Sequence, residues 1–558
     1  TLDKPEHYDP LLEILRERGH RHEQAFIEHI QTRGYEVIFI EGIDITDGAV
    51  EATIEAMRAG KEIIVQGALR IERWSGRADI LRRVDVPSDF GNWSYEVIDT
   101  KLARETKGGT VLQLSLYAEL LGSTQGIPPE NIYVVAPWSD YEPQLFRFAD
   151  YAAYFRRVKK AAETAADEAN TGITYPEPKE HCDICRWSNQ CDQRRRDDDH
   201  LCLVANISKN QISELQANGI ATTHALANMA VPIPFEPKRG SPLSFEKAKA
   251  QASIQVQARE AGENKFELLD IIAGVGFAAM PEPSPGDVFF DIEGDPFVGE
   301  HGLEYLLGYV YDDTQYVGEW AFDRESEKAI FEYFVDFITE RRKAQPDMHI
   351  YHFGHYEPSA LKRLMGRYAT RENEIDNLLR GLVFVDLLSV VRNSMRASVE
   401  SYSIKKLEPF FDFERKVSLH DANVALTRVS SGLELNDIPS IDDETKASVQ
   451  GYNADDCFST TALRNWLEEL RTQLVSQGQE VPRPAPGLDG PSEELDEQAK
   501  RVQELVHRLT LDIPVDAEER TKEQQVRWIL AHILEWHRRE DKATWWEYFR
   551  LCELTADD

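Results

Sequence analysis

Apolar residues in the first third of the chain recur at helical spacing near both ends and form short strand-like runs between them. Within residues 11–31, Leu15, His22 and Phe26 lie on one helical stripe. Strands are predicted at Glu62–Leu69, Tyr95–Asp99 and Asn131–Ala136, and further helices at Thr110–Leu121 and Tyr151–Glu168. A strand-rich middle flanked by helices predicts an α/β core.

A different pattern begins near residue 287. Three successive strands are predicted at Val288–Glu293, Glu304–Tyr311 and Gln315–Phe322, followed by a helix at Glu325–Arg342 and a fourth strand at Met348–Phe353. This order resembles the beginning of a ribonuclease H-like domain. We therefore expect a second α/β domain in the later half of the chain.

Two segments rich in Pro and Gly divide the remaining sequence. The first, Val231–Pro242, follows residues 207–229, where two short helices flank Gly219 in a helix-hairpin-helix pattern. An ordinary αα-hairpin fits that pattern equally well. The second segment, Gly478–Pro491, leads into a tail that is predicted to be helical.

Length and charge narrow the choice of function. With 558 residues the chain is too long for a single hydrophobic core, so three or more domains are expected. A formal net charge of −35 at pH 7 argues against a protein that coats DNA nonspecifically, but it is compatible with an enzyme whose active sites are acidic. Because no apolar run is long enough to span a membrane and no cleavable signal pattern is present, we expect a cytoplasmic protein without a membrane partner.

Residues 76–101 contain groups suited to metal-dependent chemistry. Asp99 and Lys101 alternate on a predicted strand and therefore project from the same face, which places a carboxylate beside an ammonium group. Asp79 comes from another segment and can add a second oxygen ligand. Mg²⁺ and Mn²⁺ prefer oxygen ligands, and the ammonium group could act on the attacking water or on a scissile phosphate. A surface salt bridge is the alternative for Lys101.

Three further residues complete this first set. Gln113 and Tyr117 lie one helical turn apart and can reach into the same cleft. His22 can supply a nitrogen ligand from the N-terminal helix, although a structural histidine in the core fits the same position. The ordered combination of His, Gly-x-x-Asp, Asp-x-Lys and Gln-x-x-x-Tyr is much more specific than an isolated Asp-x-Lys triplet.

A second acidic set lies in the later α/β region. Asp291 and Glu293 alternate on an apolar strand, where two unpaired buried carboxylates would be costly, so metal coordination explains them best. Tyr452 and Asp456 are four residues apart and share one face of a helix. The two pairs together could form another metal site.

Three of the six cysteines, Cys182, Cys185 and Cys191, fall within ten residues. Such a cluster in a chain without a secretion signal favours a metal site over disulfides. Three ligands are one short of a complete site, so the fourth could be Cys202 or a residue upstream of Thr1. Unligated cysteines are the alternative.

The first set resembles the RecB-type branch of the PD-(D/E)xK nuclease superfamily. Its segment Gly19-His20-Arg21-His22-Glu23 is similar to the early Gly-x-x-His-Glu element of that branch. The resemblance implies that metal is bound by His22, Asp79 and Asp99, that catalysis involves Lys101, Asp99 and Asp79, and that the substrate is supported by Gln113 and Tyr117. Several members also hold a [4Fe–4S] cluster, which implies this cofactor at Cys182, Cys185 and Cys191, with Zn²⁺ as the alternative.

The second set resembles the DEDD exonucleases of the ribonuclease H-like fold, in the variant whose last motif is Tyr-x-x-x-Asp. In that family the acidic residues bind two metal ions and the tyrosine orients the attacking water. The resemblance implies metal ligands at Asp291, Glu293, Glu357 and Asp456, and a catalytic role for Tyr452. The family usually has Asp where this chain has Glu357, and Asp295 or Asp455 could replace it as a ligand.

The order of these parts resembles one family of RecB-like nucleases, many members of which continue into a superfamily 1 helicase. The tail segment Glu535–Lys542, followed by Trp545-Trp546, is similar to that family as well. The expected fold class is α/β multidomain, with a restriction-endonuclease-like core and a ribonuclease H-like domain joined by a helical connector and ending in a helical tail. The expected domains are a RecB-type nuclease domain with the Cys cluster (1–200), a helix-hairpin-helix and linker (201–280), a DEDD exonuclease-type domain (281–475), a linker (476–492) and the tail (493–558).

We therefore expect a metal-dependent DNA nuclease that uses Mg²⁺ or Mn²⁺ and acts on single strands or duplex ends, as an exonuclease rather than an endonuclease. Repair, recombination and antiviral defence are the expected settings. A superfamily 1 helicase domain or subunit is the expected partner, although these residues contain no Gly-x-x-x-x-Gly-Lys-Ser/Thr loop. The alternative is a nucleic-acid-binding scaffold with largely inactive nuclease folds that recruits a helicase.

Overall fold

The chain forms two compact units, Thr1–Asn189 and Gln190–Asp558. The computed structural model describes residues 10–102, 106–169, 175–179, 181–182, 185–296, 298, 301–434, 436–484, 493–517, 519–534 and 536–537. Among these residues, no helix is both long enough and apolar enough to cross a membrane.

The first unit is built on a six-stranded mixed sheet whose strands follow one another in chain order. The strands are β1 (Val37–Phe39), β2 (Ile63–Ile71), β3 (Trp74–Val84), β4 (Ser94–Thr100), β5 (Asn131–Val135) and β6 (Gln144–Arg147). β1 is parallel to β2 and β4 is parallel to β5, whereas the other neighbouring pairs are antiparallel. β4 therefore lies inside the sheet, and its carboxyl end is held between β3 and β5.

Helices pack against both faces of this sheet. They are α1 (Pro10–Thr32), α2 (Asp47–Arg58) and α3 (Gly108–Gln125). α4 (Phe148–Ala169) packs on α3, and α5 (Ser188–Asp197) spans the boundary between the two units. The buried Phe26 of α1 packs with Ile98 on one face. Leu114 and Tyr117 of α3 pack with Val97 on the other face. Alternation along β4 thus directs Asp99 toward the face covered by α3.

The second unit contains a five-stranded sheet with the strand order β10-β9-β8-β11-β12. These strands are β8 (Val288–Asp295), β9 (Leu303–Tyr311), β10 (Gln315–Trp320), β11 (Ile350–His352) and β12 (Phe384–Asp386), and a separate pair joins β7 (Phe266–Leu268) to β13 (Met395–Ala397). β8, β9 and β10 form an antiparallel meander, and β8, β11 and β12 are parallel. The central strand is β8, which carries Asp291 and Glu293.

Helices make up most of the rest of the second unit. They are α6 (Lys209–Ala217), α7 (Thr223–Ala227), α8 (Pro242–Ala261), α9 (Arg324–Ala344), α10 (Tyr356–Tyr368), α11 (Glu372–Arg380), α12 (Leu387–Ser394), α13 (Ile404–Leu407), α14 (Leu419–Glu434), α15 (Asp443–Ser476), α16 (Glu493–Thr510) and α17 (Lys522–Ile533). The 34-residue helix α15 packs against β8 and β9. Gly308 makes this close approach feasible, because a Cβ atom there would lie 1.6 Å from Oδ1 of Asn453.

The predicted strands and helices are present, with small differences at their ends. The region 201–280 was expected to be a hairpin and linker, but it contains the 20-residue helix α8, which begins at Pro242 with Ser241 as its N-cap. Gly219 has a φ of +81° in the turn between α6 and α7, a conformation that glycine adopts readily. The first compact unit ends at Asn189, and the domain bounds expected from the sequence stay predictions. Most of the tail segment Glu535–Lys542, and Trp545-Trp546, lie outside the described residues.

Candidate metal centres

Asp99 and Lys101 form the centre of the first predicted set. Asp99 lies near the end of β4 with no exposed surface, and its Oδ2 atom is 2.6 Å from Nζ of Lys101. Among the described residues, Oδ1 of Asp99 is buried without a hydrogen-bond partner. An unsatisfied buried carboxylate oxygen is an unfavourable arrangement that a bound cation would relieve.

The neighbouring carboxylate of Asp79 joins this centre from β3. Its Oδ2 atom accepts hydrogen bonds from the backbone N–H and the hydroxyl of Thr100, both at 2.9 Å. Burial and then the charge of Asp79 raise the pKa of Asp99 from 3.8 to about 7. Burial alone would lower the pKa of Lys101, but Asp99 and Asp79 raise it above its usual value. The structure therefore brings Asp79, Asp99 and Lys101 together.

Gln113 and Tyr117 face the same centre from α3. Nε2 of Gln113 donates a hydrogen bond to the Tyr117 hydroxyl at 2.9 Å. Burial raises the pKa of Tyr117, and the charges of Asp99 and Asp79 raise it further. The Tyr117 ring can lie here because Gly76 has no side chain, since a Cβ atom at Gly76 would be 2.2 Å from the ring.

His22 is anchored on the strand next to β4. Its Nε2 atom lies 3.1 Å from the backbone carbonyl of Val135, and the N–H of Lys101 donates to the same carbonyl at 3.0 Å. Because a carbonyl can only accept, Nε2 is the donor, which leaves Nδ1 as the nitrogen through which His22 could bind metal. Metal-binding histidines commonly show this arrangement, in which the second nitrogen donates to a carbonyl. The metal-binding role of His22 stays a prediction.

The sequence interpretation missed Glu23 and Gln66. Oε1 of Glu23 accepts a hydrogen bond from Nε2 of Gln66 at 2.5 Å, and burial followed by the charge of Asp79 raises the pKa of Glu23. Gln66 has a φ of +56° inside β2, a left-handed conformation that is rare for a residue with a side chain. Glu23 could have been found from the Gly-x-x-His-Glu element, but no local pattern marks Gln66.

The second centre lies between β8 and α15. Oxygen atoms of Asp291, Glu293 and Asp456 all lie within 4.8 Å of one another, so these carboxylates could hold a metal ion. Burial raises the pKa of Asp291, and the charge of Asp456 adds to the effect. Burial and the charge of Asp291 likewise raise the pKa of Glu293. Such mutual repulsion without a cation is typical of residues that bind metal.

Glu357 reaches this second centre from the first turn of α10. Burial raises its pKa well above the usual value, and Asp291 contributes both through its charge and through a hydrogen bond between the two carboxyl groups. Oε2 of Glu357 lies 3.8 Å from Nδ1 of His352 and, within the described residues, has no hydrogen-bond partner. Glu357 is therefore adjacent to Asp291, although Glu stands where the related exonucleases usually have Asp.

Tyr452 and Asn453 approach the carboxylates from α15. Burial and then the charge of Asp456 raise the pKa of Tyr452. Asn453, which the sequence interpretation missed, is fully buried, and its Nδ2 atom donates to Oδ2 of Asp291 at 2.8 Å. The Tyr316 hydroxyl donates to Oδ1 of Asn453 at 2.9 Å, which fixes the orientation of the amide.

The two proposed substitutes for Glu357 do not belong to the group of three carboxylates. Oδ2 of Asp455 accepts the backbone N–H groups of Lys416 and Val417 at 2.8 and 2.9 Å, so this side chain holds a loop. Asp295 is buried at the end of β8. Glu357 remains the better candidate for a fourth ligand.

Four of the described cysteines lie in or near the predicted cluster. Cys182, Cys185, Cys191 and Cys202 are all half-buried, and Sγ of Cys182 accepts the backbone N–H of Lys179 at 3.3 Å. In the described part of the chain, no group of three or more metal-binding side chains includes a cysteine. The iron–sulfur or zinc site therefore stays a prediction.

The arginine run next to the cysteine cluster is paired with carboxylates. Nε of Arg194 lies 2.6 Å from Asp198, and Arg196 contacts Asp192 at 2.7 Å and Glu400 at 2.8 Å. These ion pairs favour a solvated surface rather than a phosphate-binding patch.

Two regions of the chain match known protein families. A family model of the PD-(D/E)XK nuclease superfamily matches residues 9–192, and one of the RNase H superfamily matches residues 288–468. The chain carries one nuclease domain from each of these two superfamilies. The first predicted set lies entirely within the PD-(D/E)XK domain and the second within the RNase H-like domain. The expected α/β fold class is confirmed.

No curated protein and no solved structure matches the chain significantly. The two domain matches support a nuclease function and nucleic-acid binding.

Proposed function

We propose that this chain is a metal-dependent DNA nuclease with an active site in each of its two nuclease domains. The observation that carries the proposal is the convergence of buried or half-buried carboxylates within each domain. Asp79 and Asp99 meet in the first, and Asp291, Glu293 and Asp456 meet in the second. Buried carboxylates that repel one another are costly unless a cation neutralises them.

In the PD-(D/E)XK domain, Asp79, Asp99 and His22 would hold Mg²⁺ or Mn²⁺, which supplies charge for activating water and for stabilising the phosphoryl oxygens. Lys101 is already held 2.6 Å from Asp99 and would stabilise negative charge that develops in the transition state. The hydrogen-bonded pair Gln113–Tyr117 would position the substrate.

In the RNase H-like domain, Asp291, Glu293, Glu357 and Asp456 would hold two metal ions of the same kind. The hydroxyl of Tyr452 would orient the attacking water. This assignment is supported by the adjacency of Glu357 to Asp291 and by the effect of the carboxylates on the pKa of Tyr452.

Single DNA strands or duplex ends are the proposed substrates, with exonucleolytic action in repair, recombination or defence against foreign DNA. A superfamily 1 helicase is the proposed partner. The cysteines Cys182, Cys185 and Cys191 would carry a [4Fe–4S] cluster or, alternatively, Zn²⁺. These finer assignments rest on the resemblance to RecB-like nucleases.

The test compares two single variants on end-labelled single-stranded DNA, duplex DNA and RNA with Mg²⁺ or Mn²⁺. Lys101→Ala should remove one cleavage activity, and Asp291→Ala should remove a second activity with a different product pattern. Each loss should exceed about 100-fold, because each variant removes a group that acts on developing charge or on metal. If neither variant alters any cleavage product or rate, the assignment of both sites is wrong.

A further inference from the structure

A lysine outside both predicted sets lies beside the carboxylates of the RNase H-like domain. Nζ of Lys405, in α13, is 3.8 Å from Oδ2 of Asp456 and 5.0 Å from the centre of the Tyr452 ring. The positive charge of Lys405 also acts on Asp291 and Glu293, where it partly offsets the increase in their pKa values. Lys405 therefore faces three carboxylates of this centre, those of Asp456, Asp291 and Glu293, and about a third of its side chain is exposed to solvent.

Arg415 lies on the same side of the cluster but has a different environment. Its Nη2 atom is 2.6 Å from Asp456 and 2.6 Å from Glu408, and Nε contacts Glu408 at 3.0 Å. The side chain is only 9% exposed, yet Nη1 is buried and finds no hydrogen-bond partner among the described residues. An unpaired buried guanidinium N–H group indicates that an acceptor is missing.

Charge balance suggests which acceptor this is. Two divalent cations would neutralise the four carboxylates of this centre, which belong to Asp291, Glu293, Glu357 and Asp456. The charge of Arg415 is matched by Glu408, which it contacts through two nitrogen atoms. Among the described residues, the carboxylate that Lys405 contacts is that of Asp456, at the longer distance of 3.8 Å, and that attraction weakens once Asp456 is shared with a metal ion. Its positive charge then remains for an anion that enters the site.

We propose that Lys405 binds the scissile phosphate in the RNase H-like domain and that Nη1 of Arg415 donates to the same phosphate group. This inference rests on the proposed nuclease function of that domain. The ligand is the phosphodiester of a nucleic-acid strand, or the nucleoside monophosphate that is released from it. Arg415 also has a positioning role, because its Nη2 atom fixes Asp456.

In hydrolysis, the oxygen of water forms a bond to phosphorus, and the bond between phosphorus and the leaving sugar oxygen breaks. The proton lost by water passes to solvent, and the leaving oxygen takes one from solvent. Lys405 transfers no proton in this scheme. It stabilises the charge that accumulates on the non-bridging oxygens, so its removal should reduce turnover and phosphate binding while leaving metal binding intact.

The experiment uses the full chain in a Lys101→Ala background, so that any remaining cleavage belongs to the RNase H-like domain. Lys405→Ala is compared with Lys406→Ala, a matched control, because Lys406 is the adjacent lysine in α13 and is exposed. We expect Lys405→Ala to lower kcat about 100-fold and Lys406→Ala to leave it unchanged. Lys405→Arg should recover part of the loss, since it restores the charge.

Two measurements do not depend on cleavage. Mn²⁺ affinity, measured by electron paramagnetic resonance, should be the same in the Lys405→Ala and Lys406→Ala proteins. The affinity for thymidine 5′-monophosphate in Ca²⁺, measured by calorimetry, should fall about 10-fold only when Lys405 is replaced.

The outcomes separate this inference from the proposed function. If the Lys101→Ala protein cleaves nothing, catalysis by the RNase H-like domain is wrong, and nucleotide affinity alone then decides the role of Lys405. Equal nucleotide affinity in the Lys405→Ala and Lys406→Ala proteins overturns the inference. So does a parallel loss of Mn²⁺ affinity in Lys405→Ala, because it would show that Lys405 maintains the carboxylates rather than binding phosphate.

Discussion

Replacing Asp99 with Asn should stabilise the metal-free PD-(D/E)XK domain, and the gain should increase with pH. Burial and the nearby Asp79 raise the pKa of Asp99 from 3.8 to about 7 in the folded chain. Because the folded form binds this proton more tightly than the unfolded form, ionisation of Asp99 opposes folding. The free energy that this ionisation costs is absent at pH values below the pKa of the unfolded chain. It develops between that pKa and the pKa of the folded chain, and it is complete at higher pH. Asn removes it because an amide does not ionise.

The two pKa values set the size of the effect. For a single group, the free energy that ionisation removes from folding is about 2 kcal/mol at pH 5.5 and about 4 kcal/mol at pH 8. Any difference between Asn and protonated Asp in packing or hydrogen bonding is the same at both pH values. The stabilisation by Asp99→Asn should therefore be about 2 kcal/mol larger at pH 8 than at pH 5.5.

Hydrogen exchange of peptides from β4 (Ser94–Thr100) in EDTA measures this stability within the full chain. Exposed Glu41→Gln serves as the control, since it removes a carboxylate outside the centre. A gain that is equal at pH 5.5 and pH 8, or a loss of stability that deepens at pH 8, would refute the reasoning. Added Mn²⁺ should stabilise the wild type and have little effect on Asp99→Asn, because a ligand is lost.

The remaining predictions concern packing, metal orientation and the cysteines. Gly76→Ala should destabilise the first unit by about 1–3 kcal/mol in thermal unfolding, because the new methyl group would meet the ring of Tyr117. The control Gly109→Ala places its methyl group in open space and should not destabilise the unit. Asn453→Leu should weaken Mn²⁺ binding by the RNase H-like domain about 10–100-fold in a paramagnetic resonance titration, because Asp291 loses the hydrogen bond from the Asn453 amide. Unchanged Mn²⁺ affinity would show that Asn453 does not support the metal site. Anaerobically purified protein should be brown and lose its colour in Cys185→Ser, while a colourless, metal-free wild type would reject both the iron–sulfur and the zinc proposals.

The sequence predicts which site residues lie together where those residues are near neighbours on one strand or helix. Asp99 and Lys101 were expected on one face of a strand, and their side chains are 2.6 Å apart. Asp291 and Glu293 were expected on another strand, and their oxygen atoms lie within the same 4.8 Å group. Strand alternation is a local property, so it can be predicted without knowledge of the fold.

Residues that reach a centre from distant elements could not be found in this way. Asn453 lies in the same helix as Tyr452, but its bond to Asp291 depends on the close approach that Gly308 permits. Lys405 is 51 positions from Asp456, and no spacing rule connects a four-residue helix to a buried carboxylate. Such contacts are set by how the elements pack.

The central claim is that the chain itself cleaves DNA through its two carboxylate centres. The most direct measurement is the cleavage rate of the Lys101→Ala/Asp291→Ala double variant on end-labelled single-stranded and duplex DNA with Mn²⁺. Wild-type protein should cleave, and EDTA should abolish this activity. The double variant should be folded and bind DNA, and its cleavage rate should be indistinguishable from a protein-free control. Cleavage by the double variant at the wild-type rate would contradict the account.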